Sequence, residues 1–186
     1  MIKRLRDWFQ AGEAAPAETA RVRVLMVCMG NICRSPTAEG VLRGKLQRAG
    51  LLDLVHVDSA GTHGYHAGEP PDARAIRHAA QRGYDIAALR ARAVQPQDFS
   101  QFHRVLAMDE DNLEWLRRKA PPGSAARIEP LLVHARRHPG VLAVPDPYYG
   151  GPAGFDHVLD LVEDACDGLL AQLQAELRPA PSGRPG

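Results

Sequence analysis

The sequence predicts an α/β fold: one domain in which a central, mostly four-stranded parallel sheet is flanked by helices on both faces. Three observations predict it. Short apolar runs rich in Val, Ile and Leu alternate with stretches of helical hydrophobic period. The chain has 186 residues, room for one core of this kind plus short extensions. No internal repeat and no apolar run of membrane-spanning length competes with that reading.

Residues 1–20 read as an N-terminal extension. Ile2, Leu5, Trp8 and Phe9 would share one side of a short amphipathic helix flanked by Lys3, Arg4 and Arg6. Residues 11–20, rich in Ala, Glu and Pro, read as a linker. The domain itself is expected over 21–177. Arg21–Val27 is an apolar run of strand character. Pro36–Ala49 reads as a helix with Ser35 as N-cap, Pro36 in the first turn where a missing N–H costs nothing, and Gly50 after its end. Leu54–Ser59 is the second strand. Asp72–Arg82 is a helix opened by Asp72 and closed by Gly83.

Arg104–Met108 is the third strand. Asp109–Lys119 follows as a helix, acidic at its start and basic at its end, the order that complements the helix dipole. Ile128–Val133 is the fourth strand. Val158, Leu161, Val162, Ala165, Leu169, Leu170 and Leu173 make Phe155–Leu177 a long amphipathic helix. Residues 178–186 are a Pro/Gly-rich tail, expected to be disordered.

Composition narrows the function. A formal net charge of +1 leaves no broad basic field for nucleic acid. Three cysteines, Cys28, Cys33 and Cys166, are too few for a disulfide scaffold and fit a reducing compartment. The N-terminus lacks the pattern of a secretory signal, so a cytoplasmic location is expected. His134 and His138 stand four apart, but Pro139 follows and no third ligand is evident, so no metal and no cofactor is expected. Gly40, Gly44 and Lys45 miss the spacing of a nucleotide-binding loop.

The segment Cys28-Met29-Gly30-Asn31-Ile32-Cys33-Arg34-Ser35-Pro36-Thr37 carries the chemistry. A strand, a tight loop and a helix start in succession place backbone N–H groups around an anion. In ligands of parallel sheets this is also the binding end, beyond the strands' carboxyl termini. The positive field of such a loop favours the thiolate form of Cys28. Arg34 offers a planar fork for two phosphoryl oxygens. Gly30 allows close approach or a positive φ, and Asn31 tolerates left-handed geometry. The cysteine–arginine spacing by itself also occurs around buried structural thiols. Asp146, between Pro145 and Pro147, is a candidate proton donor whose local sequence equally fits an ordinary turn. Tyr65, Tyr148 and Tyr149 fall in loops, as cleft walls or as plain surface residues.

Cys28–Thr37 resembles the signature loop Cys-x-Gly-Asn-x-Cys-Arg-Ser-Pro of the low-molecular-weight protein tyrosine phosphatases, and the chain looks like a bacterial member. Asp146-Pro147-Tyr148-Tyr149-Gly150 is similar to that family's general-acid loop. Asp58–Thr62 and Met108–Asn112 also match, in the family's order, so the resemblance covers roughly residues 21–177.

The resemblance implies phosphotyrosine hydrolysis through a phosphocysteine. Cys28 would be the nucleophile and Asp146 the acid and then the base. Arg34 and the backbone of Met29, Gly30, Asn31, Ile32, Cys33 and Ser35 would bind the phosphate. Tyr65, Tyr148 and Tyr149 would wall the cleft. Cys33 matches a cysteine that can form a disulfide with the nucleophile, although a passive buried thiol fits its position equally. Asn31 and Ser59 would brace the loop, and Asp109 matches an acidic position near the site. The implied partner is a phosphotyrosine protein, such as a bacterial tyrosine autokinase, with the enzyme a monomer or weak dimer. Two alternatives share the loop. An arsenate reductase of this fold would need relay cysteines, and none lies between residues 34 and 165. A non-catalytic phosphotyrosine-binding module would need neither Cys28 nor Asp146.

Overall fold

The computed structural model describes residues 19–178. The expected N-terminal helix, nearly all of its linker and the residues after 178 lie outside that range. Four strands form one sheet: β1 (Val22–Cys28), β2 (Val55–Gly61), β3 (Arg104–Ala107) and β4 (Arg127–Pro130), in the spatial order β2-β1-β3-β4. Every pairing is parallel; Val22 to Cys28 run in register with Val55 to Gly61. Each connection therefore crosses over through helical segments: α1 (Arg34–Arg48), α2 (Ala73–Gln81) with α3 (Asp98–Gln101), and α4 (Glu110–Lys119); α5 (Pro152–Leu177) follows the last strand.

The period of two along β1 divides the core. Val24 and Met26 face one side, with Val41, Leu42 and Leu46 of α1, Ala75 and Ala79 of α2, and Leu161, Leu169 and Leu173 of α5. Leu25 and Val27 face the other, with Phe99 of α3 and Leu113 and Leu116 of α4. These side chains are fully or almost fully buried, so β1 reads as a continuous apolar run because both its faces are covered. Gly168 lets α5 lie against the His134 carbonyl, where any Cβ would collide.

Several boundaries differ from expectation for identifiable reasons. The first helix begins at Arg34, before the expected Pro36, and Ser35 does not cap it; its hydroxyl turns to the thiol of Cys28. Asp72 and Asp109 are N-caps rather than helical residues, accepting from the N–H groups of Arg74 and Asn112. The fourth strand stops at Pro130, and Leu131–His134 form a 3₁₀ turn instead of continuing it. Pro130 is tolerated because β4 is an edge strand. The helix α3 was not legible as a separate element; it is a single turn.

Candidate active site

The carboxyl ends of three neighbouring strands meet at one place. Cys28 ends β1, Gly61 ends β2, and Met108 follows β3. The loop after Cys28 is tied down on all sides through its backbone. Thr62 N–H donates to Cys28 C=O (2.9 Å), His63 N–H to Met29 C=O (3.0 Å), and Asp72 N–H to Ile32 C=O (2.8 Å). Gly61 is required for this closeness, since a Cβ there would stand 2.7 Å from the carbonyl oxygens of Met29 and His63. The left-handed residue of the loop is Asn31, at φ 56°, not Gly30; a Cβ on Gly30 would instead press on the His66 ring at 3.2 Å.

The Asn31 side chain sets the direction of a buried proton network. Its Oδ1 accepts from Arg92 N–H (2.9 Å), which turns its Nδ2 toward Ser35 and Ser59, each 2.9 Å away. Both hydroxyl oxygens thereby accept from the amide. The Ser59 proton is left for Glu39 Oε2 at 2.7 Å. The Ser35 proton is left for Cys28 Sγ at 3.1 Å, nearer than the Ala60 carbonyl at 3.4 Å. The backbone N–H of Asn31 also donates to Cys28 Sγ (3.3 Å). Two donors thus converge on the sulfur, an arrangement that suits a thiolate.

Glu39 was not singled out from the sequence, because its role comes from a contact with β2. It is buried, and burial pushes its carboxyl up to about 7, against the Ser59 hydrogen bond and Arg43, which pull it down. An ordinary glutamate, at 4.5 when unfolded, then loses its proton before the folded one does. Between those values the folded state holds the extra proton. The stability this contributes is complete below pH 4.5 and is lost as pH rises through 7. The expected result is that Glu39→Gln flattens the pH dependence, with a relative gain over the native chain of up to ~3 kcal/mol between pH 5 and pH 8. Urea unfolding at the two pH values checks it; a parallel dependence in both proteins would refute it.

Arg34 is buried and reaches across the site. Its Nη1 donates to Asp109 Oδ2 (2.5 Å) and to the Val144 carbonyl (3.2 Å), and its Nη2 faces Asp146 Oδ2 at 3.3 Å. Burial alone would lower its pKa, but Cys28, Asp109 and Asp146 together outweigh that and raise it. The guanidinium is therefore a permanent cation. Asp146 is half-exposed, and its Oδ1 accepts from Tyr148 N–H (3.0 Å).

A cavity of about 200 Å³ is lined by Cys28, Met29, Gly30, Ile32, Cys33, Arg34, His66, Asp146, Tyr148 and Tyr149. Thiol, guanidinium and carboxyl share this space although more than 110 residues separate the first from the last. Asn31 and Ser35 lie behind the thiol, not in the lining. Tyr65 is also outside the lining; it is 80 % exposed and stacks on His63, with ring centroids 5.3 Å apart. His66 lines the cavity in its stead and was missed, since nothing in the sequence distinguishes it from the other histidines. Cys33 is buried, and burial first, then the charges of Asp72, Cys28 and Asp146, push its thiol up to about 12. Cys166 lies fully in the core. Among the described residues no group of three or more His, Cys, Asp or Glu is placed to hold a metal ion, and no helix is long and apolar enough to cross a membrane.

Residues 23–179 match the family model described as low molecular weight phosphotyrosine protein phosphatase. A low molecular weight protein-tyrosine-phosphatase of Streptomyces coelicolor is 45 % identical over 157 residues, spanning 83 % of this chain and 95 % of that protein. Among solved structures, a protein tyrosine phosphatase of Entamoeba histolytica, crystallised with Hepes in its active site, superposes with a TM-score of 0.80 at 38 % identity, covering 83 % of this chain and 98 % of that one. YfkJ from Bacillus subtilis superposes with a TM-score of 0.79 at 36 % identity, covering 86 % and 98 %.

Proposed function

The chain belongs to the low molecular weight phosphotyrosine protein phosphatase family, and on that premise we propose that it hydrolyses phosphotyrosine in proteins by a two-step route through Cys28. The observation that carries the reading is the single cavity shared by Cys28, Arg34 and Asp146. The Cys28 thiolate attacks phosphorus, forming the S–P bond as the bond from phosphorus to the tyrosine oxygen breaks. Asp146 gives its proton to that departing oxygen. Water then attacks the phosphocysteine and passes a proton to Asp146. The S–P bond breaks, and inorganic phosphate and the thiolate leave.

Arg34 and the loop N–H groups hold the three equatorial oxygens, whose charge is redistributed in each transition state. Donors fixed in place before the reaction stabilise that charge without reorganising, and the many ties of the loop backbone support this. Tyr148 and Tyr149 line the cavity and favour a flat ring above a deep phosphate site. On this reading Tyr65, exposed and stacked on His63, would meet the substrate outside the cavity. A protein substrate is implied, a tyrosine autokinase being one candidate. A thiol nucleophile works in a reducing compartment, which supports a cytoplasmic setting.

Cys33 is assigned as the thiol that protects the nucleophile. Peroxide oxidises the Cys28 thiolate to a sulfenic acid; Cys33 condenses with it, releasing water and forming a disulfide. Dithiothreitol should restore activity to peroxide-treated native protein and fail to restore it in Cys33→Ser. Equal recovery in both would remove Cys33 from that role.

The test of the function is turnover by purified protein in the presence of a chelator. Phosphate should be released from a phosphotyrosyl peptide and from p-nitrophenyl phosphate, and much more slowly from a phosphoseryl peptide. Arsenate-dependent consumption of a thiol reductant without phosphate release would favour the reductase instead.

A further inference from the structure

The loop that carries Asp146 has few ways of being held. Pro145 and Pro147 on either side of it have no N–H to donate. Anchoring therefore falls on the residues just beyond. On one side Val144 is buried, gives its N–H to the Met108 carbonyl (2.7 Å) and takes a bond from Arg34. On the other side stands Tyr148, whose own N–H holds Asp146 Oδ1 (3.0 Å). The carbonyl of Tyr148 accepts from Arg74 Nη1 (3.0 Å), at the start of α2.

Arg74 is itself fixed in three ways. Asp72 takes both Nε and Nη2 in its two carboxylate oxygens, at 3.0 and 2.8 Å. The guanidinium carbon lies 5.4 Å from the centre of the Tyr148 ring and 4.9 Å from that of Phe155. Asp72 in turn donates its N–H to Ile32 of the phosphate loop (2.8 Å). The bonds close a circuit around the cavity: Ile32 to Asp72, Asp72 to Arg74, Arg74 to Tyr148, Tyr148 to Asp146, and Asp146 back to Arg34, two residues from Ile32.

We propose that Arg74 is a positioning residue for proton transfer: it holds the Tyr148 peptide, and through it the Asp146 carboxyl, in register with the phosphate loop. The inference rests on the reading of Asp146 as acid and base. One residue, Tyr148, carries both effects, since its N–H orients the carboxyl and its ring lines the cavity. The circuit also explains why the side chain is an arginine. Three of its donors are used in fixed directions while its faces lie on two rings, which a lysine ammonium cannot reproduce. An acid displaced by about 1 Å can lose much of its effect.

The experiment measures kcat/KM for aryl phosphates of graded leaving-group pKa in Arg74→Ala, Arg74→Lys, Asp146→Asn and the double variant Arg74→Ala/Asp146→Asn. Arg74→Ala should lose about tenfold with phenyl phosphate and about twofold with p-nitrophenyl phosphate, because only the poor leaving group depends heavily on the acid. Arg74→Lys should fall between it and the native protein, and it carries the test if the alanine variant folds poorly. Inhibition by vanadate should be unchanged in both, since Arg34 and the phosphate loop are untouched. Adding Arg74→Ala to Asp146→Asn should cost nothing further, the non-additivity expected of one pathway.

A loss that is equal across leaving groups, or that persists in full on the Asp146→Asn background, would overturn the proposal by making Arg74 a general structural residue. No loss in either Arg74 variant would overturn it as well. The two readings separate cleanly. If Asp146→Asn is sensitive to the leaving group and Arg74→Ala is not, the positioning role alone fails. If Asp146→Asn is itself insensitive, Asp146 is not the acid and both fail.

Discussion

Cys28→Ser is expected to abolish turnover, a loss on the order of 10⁵-fold, while the protein still folds and binds phosphate and vanadate. The reason lies in what surrounds the sulfur. The Ser35 hydroxyl and the Asn31 N–H both point at it, and neither is a base. The site is therefore arranged to hold an anion on sulfur, and a serine hydroxyl is far harder to ionise than a thiol. Nothing within this network would activate the serine. The anion-binding groups stay intact, so phosphate affinity, read by calorimetry, should remain within a few-fold of native. Residual turnover above about 1 % of native would mean that another group attacks phosphorus.

The second large effect is expected at Asp146. Asp146→Asn keeps the shape of the side chain and its bond from the Tyr148 N–H, and removes the proton that the proposed mechanism gives to the leaving oxygen. A loss of about 10²- to 10³-fold in kcat/KM is expected with phenyl phosphate, shrinking steeply as the leaving group improves. Stopped-flow and steady-state assays across an aryl phosphate series read this directly. An equal loss for every ester would show that some other residue provides the proton.

Much of the fold was legible because the apolar runs at 21–27 and 104–108 and the helical period at 155–177 state their own burial pattern. What failed did so where a tertiary contact overrode a local preference. Ser35 has the right neighbours for an N-cap, yet its hydroxyl is spent on Cys28, and the helix starts earlier. The run to Val133 reads as strand, but Pro130 stands at the sheet edge and the chain turns inward after it.

The site divides in the same manner. Cys28 and Arg34 could be read from their own loop, because the loop's geometry is local. Asp146 became the preferred proton donor only through the family resemblance, as a lone aspartate between prolines fits an ordinary turn equally. Glu39 and Arg74 were invisible, because each meets a partner distant in sequence, and His66 was invisible because nothing local sets it apart from the other histidines. Ser59 lies 20 residues from Glu39, and Tyr148 lies 74 from Arg74. Only the folded chain brings those pairs together.

The contrast between floor and rim of the cavity has a consequence for how such a protein can change. Cys28 and Arg34 are 3 % exposed and embedded in the core, whereas Tyr149 is 95 % exposed. A replacement on the floor has to fit the buried hydrogen bonds around it, which few side chains can do. Replacing Tyr149 chiefly changes the surface offered to a visiting protein. The choice of target can therefore drift across generations, or be redirected in the laboratory, while the reaction underneath stays the same. Selection on partner and selection on chemistry act on different residues, and one can proceed without endangering the other.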